Sequence, residues 1–347
     1  MKRIEFIDSL KGFAILLVLW GHSIQYLCSS IDFFQNFIFK IIYSFHMPLF
    51  FLISGFFFHS SLKLHFKDFC LKKTIQLLLP CFTWSVLIVG LGIINSCYSG
   101  ECDYHWLQII KTFFTHFRSE FWFLFKLFIS FFITYVFYTL FNRWWFVFIL
   151  GILFVMLMPY SEFDYQRFLL PFLFAGIVIR NQYQFVRNYL KYFLIISGTI
   201  FGICLLLWNG HNVIYMTDFP AMIDYNTFTF NFSNIDISLF RLLIGLSGSV
   251  FFFTLFHIYY KRNRFFLQLA EIGKYTMGIY ILQVIIFKYW FVKMFSLTVI
   301  NIWVYNLLYT TVMSLFLLVV CIAIIKLLAR NKYLDFLLFG DTYYNKS

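Results

Sequence analysis

Charge is scarce in this sequence. Of 347 residues only 12% are Asp, Glu, Lys or Arg, where a soluble globular chain carries about 25%. That shortage excludes a water-soluble enzyme, a disordered protein and a coiled coil. Acids are scarcer than bases, 15 against 27, which leaves a net charge of +12. There are 7 cysteines and no CxxC pair, and Cys and His nowhere take the spacing of a metal site, so no metal is expected. The sequence has no Walker A phosphate loop, no GxSxG elbow, no HExxH helix and no HxxxxD string, which removes the common soluble catalytic classes. The basic residues are not interleaved with aromatics as a nucleic-acid face would be, so no nucleic-acid partner is expected. No stretch between apolar runs is long enough for a soluble domain, and there is no tandem repeat or matching pair of broken helices in the two halves.

What is abundant is apolar sequence: 62% of the residues are hydrophobic, 53 of them Phe. Apolar runs of about 18 residues or more read as membrane-spanning helices. About ten are expected, near residues 10–28, 37–58, 74–94, 121–141, 144–159, 168–180, 192–208, 237–260, 276–295 and 304–328, with Pro48 and Pro80 falling inside spans. With an even number of spans both termini share one side with most of the basic residues, among them Lys63, Lys67, Lys72, Lys73, Arg187, Lys191, Arg264, Lys274, Arg330 and Lys332. The other side has few, including Lys111, Arg118 and Arg167. The positive-inside rule therefore puts both termini in the cytoplasm. The expectation is an all-α polytopic membrane helix bundle of about ten transmembrane helices, forming one integral-membrane domain over residues 1–347. The first run follows Met1-Lys2-Arg3 in the manner of a signal peptide but lacks a small-residue cleavage site, so it reads as a retained helix. Cys97 and Cys102 share a polar loop and could pair in an oxidising compartment. Trp106 to Phe117 reads as an interfacial amphipathic helix. Gly198 and Gly202 form a GxxxG spacing, a sign of close helix packing.

Ionisable groups inside spans are costly and are functional candidates. Asp8 and Lys11 stand three residues apart at the cytoplasmic mouth of the first span and can pair. His22 lies eleven residues after Lys11; eleven steps of 100° fall within about 20° of three full turns, so Lys11, Val18 and His22 share a face. The rise puts His22 roughly 16 Å deeper, near mid-membrane, where a histidine is suited to act as a general base. His46 is next, followed by the helix breaker Pro48, which suggests distorted backbone there. Ser54-Gly55 suggest close packing. Trp122 fits an aromatic belt, and Lys126 and Arg241 could snorkel outward. Gln283 is an uncharged polar group of the kind that links helices in a bundle.

The opening string Asp8-Ser9-Leu10-Lys11-Gly12-Phe13-Ala14, continuing through Leu17-Val18-Leu19-Trp20-Gly21-His22, resembles the acyltransferase family 3 integral-membrane proteins. Phe45-His46-Met47-Pro48-Leu49-Phe50-Phe51-Leu52-Ile53-Ser54-Gly55 is similar to that family's second-helix motif, Trp122-Phe123-Leu124 to its Trp-Phe-Leu motif, and Gly273-Lys274-Tyr275-Thr276-Met277-Gly278-Ile279-Tyr280 to its late-helix motif. The four strings occur in family order along nearly the whole chain. Two positions depart from the pattern: Lys11 stands where the family usually has arginine, and Gln283 where many relatives have histidine. The resemblance implies a membrane O-acyltransferase at a bacterial cytoplasmic (inner) membrane, without the appended esterase-like domain. It would move an acyl group, acetyl being the expected one, from acyl-CoA to a hydroxyl of a cell-surface polysaccharide or lipid-linked glycan precursor. Acetyl-CoA is then the expected co-substrate, with no bound cofactor, and the partners are acyl-CoA, the glycan acceptor and membrane lipid. His22, Lys11 and Asp8 are the catalytic candidates; His46, Ser54, Trp122 and Arg241 are candidates for substrate binding. The competing reading is a transporter or flippase for an acidic metabolite or glycan whose buried charges line a path; a scaffold for glycan assembly is a third.

Overall fold

The computed structural model describes residues 4–100, 105–141, 143–157, 164–208, 223–224, 229–230, 235–260, 263–298 and 301–340. Cys102 and the basic residues Lys2, Arg3, Lys261, Arg262 and Lys346 lie outside these ranges, as does most of the stretch from Asn209 to Asn234, so the Cys97–Cys102 pairing falls outside the described residues.

The chain is almost wholly helical. In order, the helices are α1 Glu5–Tyr26, α2 Phe37–Phe58, α3 Phe66–Lys73, α4 Leu79–Tyr98, α5 Trp106–Ser119, α6 Trp122–Phe141, α7 Trp144–Leu157, α8 Asp164–Asn181, α9 Tyr183–Asn188, α10 Leu190–Leu206, α11 Ile235–Tyr259, α12 Arg264–Gly273, α13 Thr276–Ile286, α14 Val292–Phe295, α15 Ile302–Val304, α16 Thr310–Leu328 and α17 Lys332–Phe339. One antiparallel ladder pairs Ile223–Asp224 with Thr229–Phe230. Single π-helical turns join α3 to α4, α13 to α14 and α15 to α16.

A helix occupies each of the ten expected intervals, and the fold is an all-α polytopic membrane bundle. By length and composition, 7 helices among the described residues can cross a membrane, and Leu190–Leu206 is a shorter apolar one. Of the other two, α7 has 14 residues, about 21 Å at 1.5 Å per residue. That is short of the roughly 30 Å of bilayer hydrocarbon. The second, α8, has 18 residues but includes Asp164, Arg167 and Arg180. It packs inside the bundle: Leu169, Leu170 and Leu173 are wholly buried, and so are Gln166 and Arg167.

Both prolines lie within helical stretches, as expected. α2 runs unbroken from Phe37 to Phe58 through Pro48, without the distortion that the proline suggested. Pro80 follows the π turn Thr74–Leu78 within the continuous helical stretch Phe66–Tyr98. Asn36 starts α2 by accepting from the amides of Ile38 and Phe39, the usual way an Asn satisfies orphan donors.

Contacts divide the chain into two compact units, one comprising residues 1–61 and 137–322, the other 62–136 and 323–347. In the first, α2 packs along α8 and α11, and α1 along α2, α12 and α13. Two of these seams are set by glycines in reciprocal pairs. A Cβ on Gly12 would meet the Leu269 carbonyl oxygen at 1.9 Å, and one on Gly273 the Asp8 carbonyl at 1.8 Å. Likewise Gly55 faces the Leu173 carbonyl and Gly176 the Leu52 carbonyl, each at 1.9 Å. Such backbone-to-backbone approach is possible only without a side chain. The GxxxG pair on α10 is not of this kind, because Gly198 packs on the Phe251 ring and Gly202 has no atom within 4 Å.

In the second unit, Trp84 Nε1 donates to the Leu338 carbonyl at 2.9 Å. Gly340, at φ +93°, turns the chain beside the Ile75 carbonyl, a conformation that favours glycine. The expected amphipathic helix is present as α5, with Trp106, Leu107, Ile110 and Phe114 exposed along one side.

Candidate functional site

The site starts from a local pair. Lys11 Nζ lies 3.1 Å from Asp8 Oδ1, the i, i+3 contact expected from their spacing. The same ammonium sits over the Phe57 ring at 5.0 Å. At the other end of α1, Gly21 abuts Tyr43 and Ile42 of α2. α1 and α2 therefore run antiparallel. Eleven residues separate Lys11 from His22 and eleven separate His46 from Phe57, so along this seam a charge pair stands at one end and two histidines at the other. Ser54, half-buried, lies three residues before Phe57 and adjoins the charged end.

His22 keeps partial exposure. Its Nδ1 is 2.9 Å from Gln283 Oε1 of α13. An amide oxygen only accepts, so this contact fits the tautomer with the proton on Nδ1 and the lone pair on Nε2. The ring is bordered by the edges of Tyr26 and Phe287, with centroids at 5.8 and 6.1 Å. Phe287 opens the π turn that follows α13, and π turns gather at functional sites. His46 repeats the tautomer logic. Its Nδ1 lies 2.8 Å from the Ile42 carbonyl and its ring packs on Tyr43 with centroids at 4.6 Å.

The turn of α1 that carries His22 is held on both sides. Trp20 Nε1 donates to Thr310 Oγ1 at 2.9 Å. Tyr305 Oη donates to the carbonyls of Ser23 and Ile24 at 3.0 and 2.9 Å. The start of α2 is tied to the same region by Asn36 Nδ2, which donates to Asn306 Oδ1 at 2.7 Å. Thus four side chains from the last third of the chain meet α1 and α2 next to the two histidines.

Arg241 does not reach outward as a snorkelling residue would: it is 3% exposed on α11. One turn along, Gly245 packs on Pro48 of α2 and Phe172 of α8. Arg167, expected in an outer loop, is 1% exposed within α8. Trp122 and Lys126 belong to the second unit, where Lys126 is buried and not snorkelling outward, and the Trp122 ring meets Phe123 edge-on. Among the described residues no group of three metal-ligating side chains converges.

Comparisons with known proteins give the family. A family model described as an acyltransferase domain, that of acyltransferase family 3, matches residues 4–326. The chain belongs to this family. Two curated relatives, each named Nodulation protein NolL, are similar to this family member. One, from Sinorhizobium fredii, is 27% identical over 226 residues, 60% of this chain and 58% of the relative. The other, from Mesorhizobium japonicum, is 30% identical over 222 residues, 60% of this chain and 57% of the relative. The match spans less than two thirds of either relative's length. No solved structure matches the chain. Within this acyltransferase-family chain, three of the four motif strings meet around α1. The first and last touch through Gly12 and Gly273, and the second lies along α1 through Tyr43 and Phe57. Gln283, read from sequence as a link between helices, is the residue that sequence reasoning left out of the site; no local signal tied it to a histidine 261 positions away.

Proposed function

We propose that this protein is a membrane O-acyltransferase that moves an acetyl group from acetyl-CoA to a hydroxyl of a surface glycan or its lipid-linked precursor. The observation that carries this reading is the α1–α2 seam, with a cation at one end and, at the other, a histidine bonded to Gln283 through Nδ1. CoA is polyanionic, and Lys11 at the expected cytoplasmic end offers positive charge where the pantetheine arm would enter. Asp8 holds that charge in place. His22 Nε2 takes the proton of the acceptor hydroxyl as its oxygen attacks the thioester carbon. The tetrahedral oxyanion collapses, the carbon–sulfur bond breaks, and the imidazolium returns the proton to the departing CoA thiolate. His46 and Ser54 would contact substrate along this seam, and Arg241 is proposed to bind the acceptor. Both termini would face the cytoplasm of a bacterial inner membrane.

The test is mass spectrometry of the surface polysaccharide from a gene-deleted strain, a complemented strain and one complemented with His22→Ala at matched protein level. An acetyl increment restored by the wild-type gene alone is the expected result. Identical acylation in all three would reject the acyltransferase reading and favour transport, which consumes no acyl donor.

A further inference from the structure

Polar side chains that merely link helices spend their hydrogen-bonding groups on one another. Gln283 does not. Its side chain is wholly buried, its Oε1 is engaged by the His22 ring at 2.9 Å, and its Nε2 has no hydrogen-bond partner among the described residues. A buried donor without a partner costs stability, so this amide is held against one histidine at the expense of its own donor. Its surroundings fix it there: Phe287, one turn on, borders the His22 ring, and Ile279 and Leu282 beside it are buried. The turn of α1 that carries His22 is held in turn, because Trp20, Ser23 and Ile24 on either side of it are bonded to Thr310 and Tyr305.

We propose that Gln283 is the positioning residue for the base: its amide oxygen holds the proton on His22 Nδ1, so that the lone pair is presented on Nε2. This rests on the reading of His22 as the general base. Without Gln283 the ring is free to take the other tautomer, in which Nε2 carries the proton and cannot accept one from a hydroxyl. A third group that selects the tautomer of a catalytic histidine is a known requirement of histidine bases.

The experiment uses the full-length protein in lipid nanodiscs with 15N-labelled histidine. The two ring nitrogens of His22, assigned by the loss of their signals in His22→Asn, are distinguished by NMR as protonated or bare. In the wild type Nδ1 is expected to be protonated and Nε2 bare; the reverse assignment overturns the proposal without any further variant. In Gln283→Leu the bare-Nε2 signal is expected to shrink, and in Gln283→Glu, which keeps an acceptor oxygen, to persist. A folded Gln283→Leu protein with the wild-type tautomer would also overturn it. In acetyl transfer, Gln283→Leu is expected to lose about 10²-fold in kcat with the KM for acetyl-CoA little changed. Equal losses in kcat for the Leu and Glu variants, with the tautomer unmoved in both, would reduce Gln283 to a packing residue. Because the tautomer is read without turnover, a failure of the positioning role is separable from a failure of the acyltransferase reading.

Discussion

At the scale of single residues, the chemistry turns on what each polar side chain is bonded to. Lys11 carries a point charge held by one carboxylate oxygen of Asp8 and by the face of Phe57. Lysine keeps the charge of the arginine usual at this position in the family but not its planar fork. Lys11→Arg is therefore expected to keep or raise activity, since the guanidinium can engage Asp8 and donor together. Lys11→Ala should lower kcat/KM for acetyl-CoA by roughly 10-fold or more, the size of a lost charged contact, in a steady-state assay with excess acceptor. An alanine variant indistinguishable from wild type would remove Lys11 from the donor site. The Asp8–Lys11 contact was legible in the sequence because it is local: three residues on a helix are neighbours whatever the rest of the chain does. The His22–Gln283 bond was not, because it depends on which helix packs where.

At the scale of elements, the site is built by helices that approach closely. α1 meets α12 through Gly12 and Gly273, each facing the other helix's backbone. That approach joins the first family string to the last. A methyl at either position has carbonyl oxygen in its way, and backbone cannot step aside as a side-chain tip can. Gly12→Ala and Gly273→Ala should each destabilise the fold by about 1–3 kcal/mol or more, measured as a lower Tm in detergent, with activity falling alongside. The pair combined should not be additive, since both open the same seam. By contrast Gly202→Ala should be neutral in the same assay, because nothing lies within 4 Å of its Cβ position. The GxxxG spacing on α10 looked as promising in sequence as the glycines that form the seams. Spacing records a face of a helix, and only packing says whether a backbone, a phenyl ring or open space lies opposite.

At the scale of the whole molecule, composition dictates the environment and the environment dictates helices. In lipid every backbone N–H and C=O must be satisfied within the segment, so apolar runs become helices with little choice. All ten expected intervals are helical for that reason, including α7 and α8, which fall outside the length and charge limits of a simple span. The surplus of Lys and Arg on alternate loops predicts cytoplasmic termini. A fluorescent reporter fused after Ser347 should therefore fluoresce, and an alkaline phosphatase fused there should stay inactive. The opposite pattern would invert the topology and the side from which acyl-CoA enters.

The sequence by itself determined the membrane class, the order and approximate limits of the helices, the Asp8–Lys11 pair and the shared face of Lys11 and His22. Each follows from local geometry or from the cost of exposing backbone to lipid. The tertiary structure alone decided that Arg167 is buried within α8, that Pro48 leaves α2 unbroken, and that Gln283 is bonded to His22. These depend on which faces of distant helices meet. That choice is made by close packing and buried hydrogen bonds between residues far apart in the chain, and the 3.6-residue period records the faces without naming their partners.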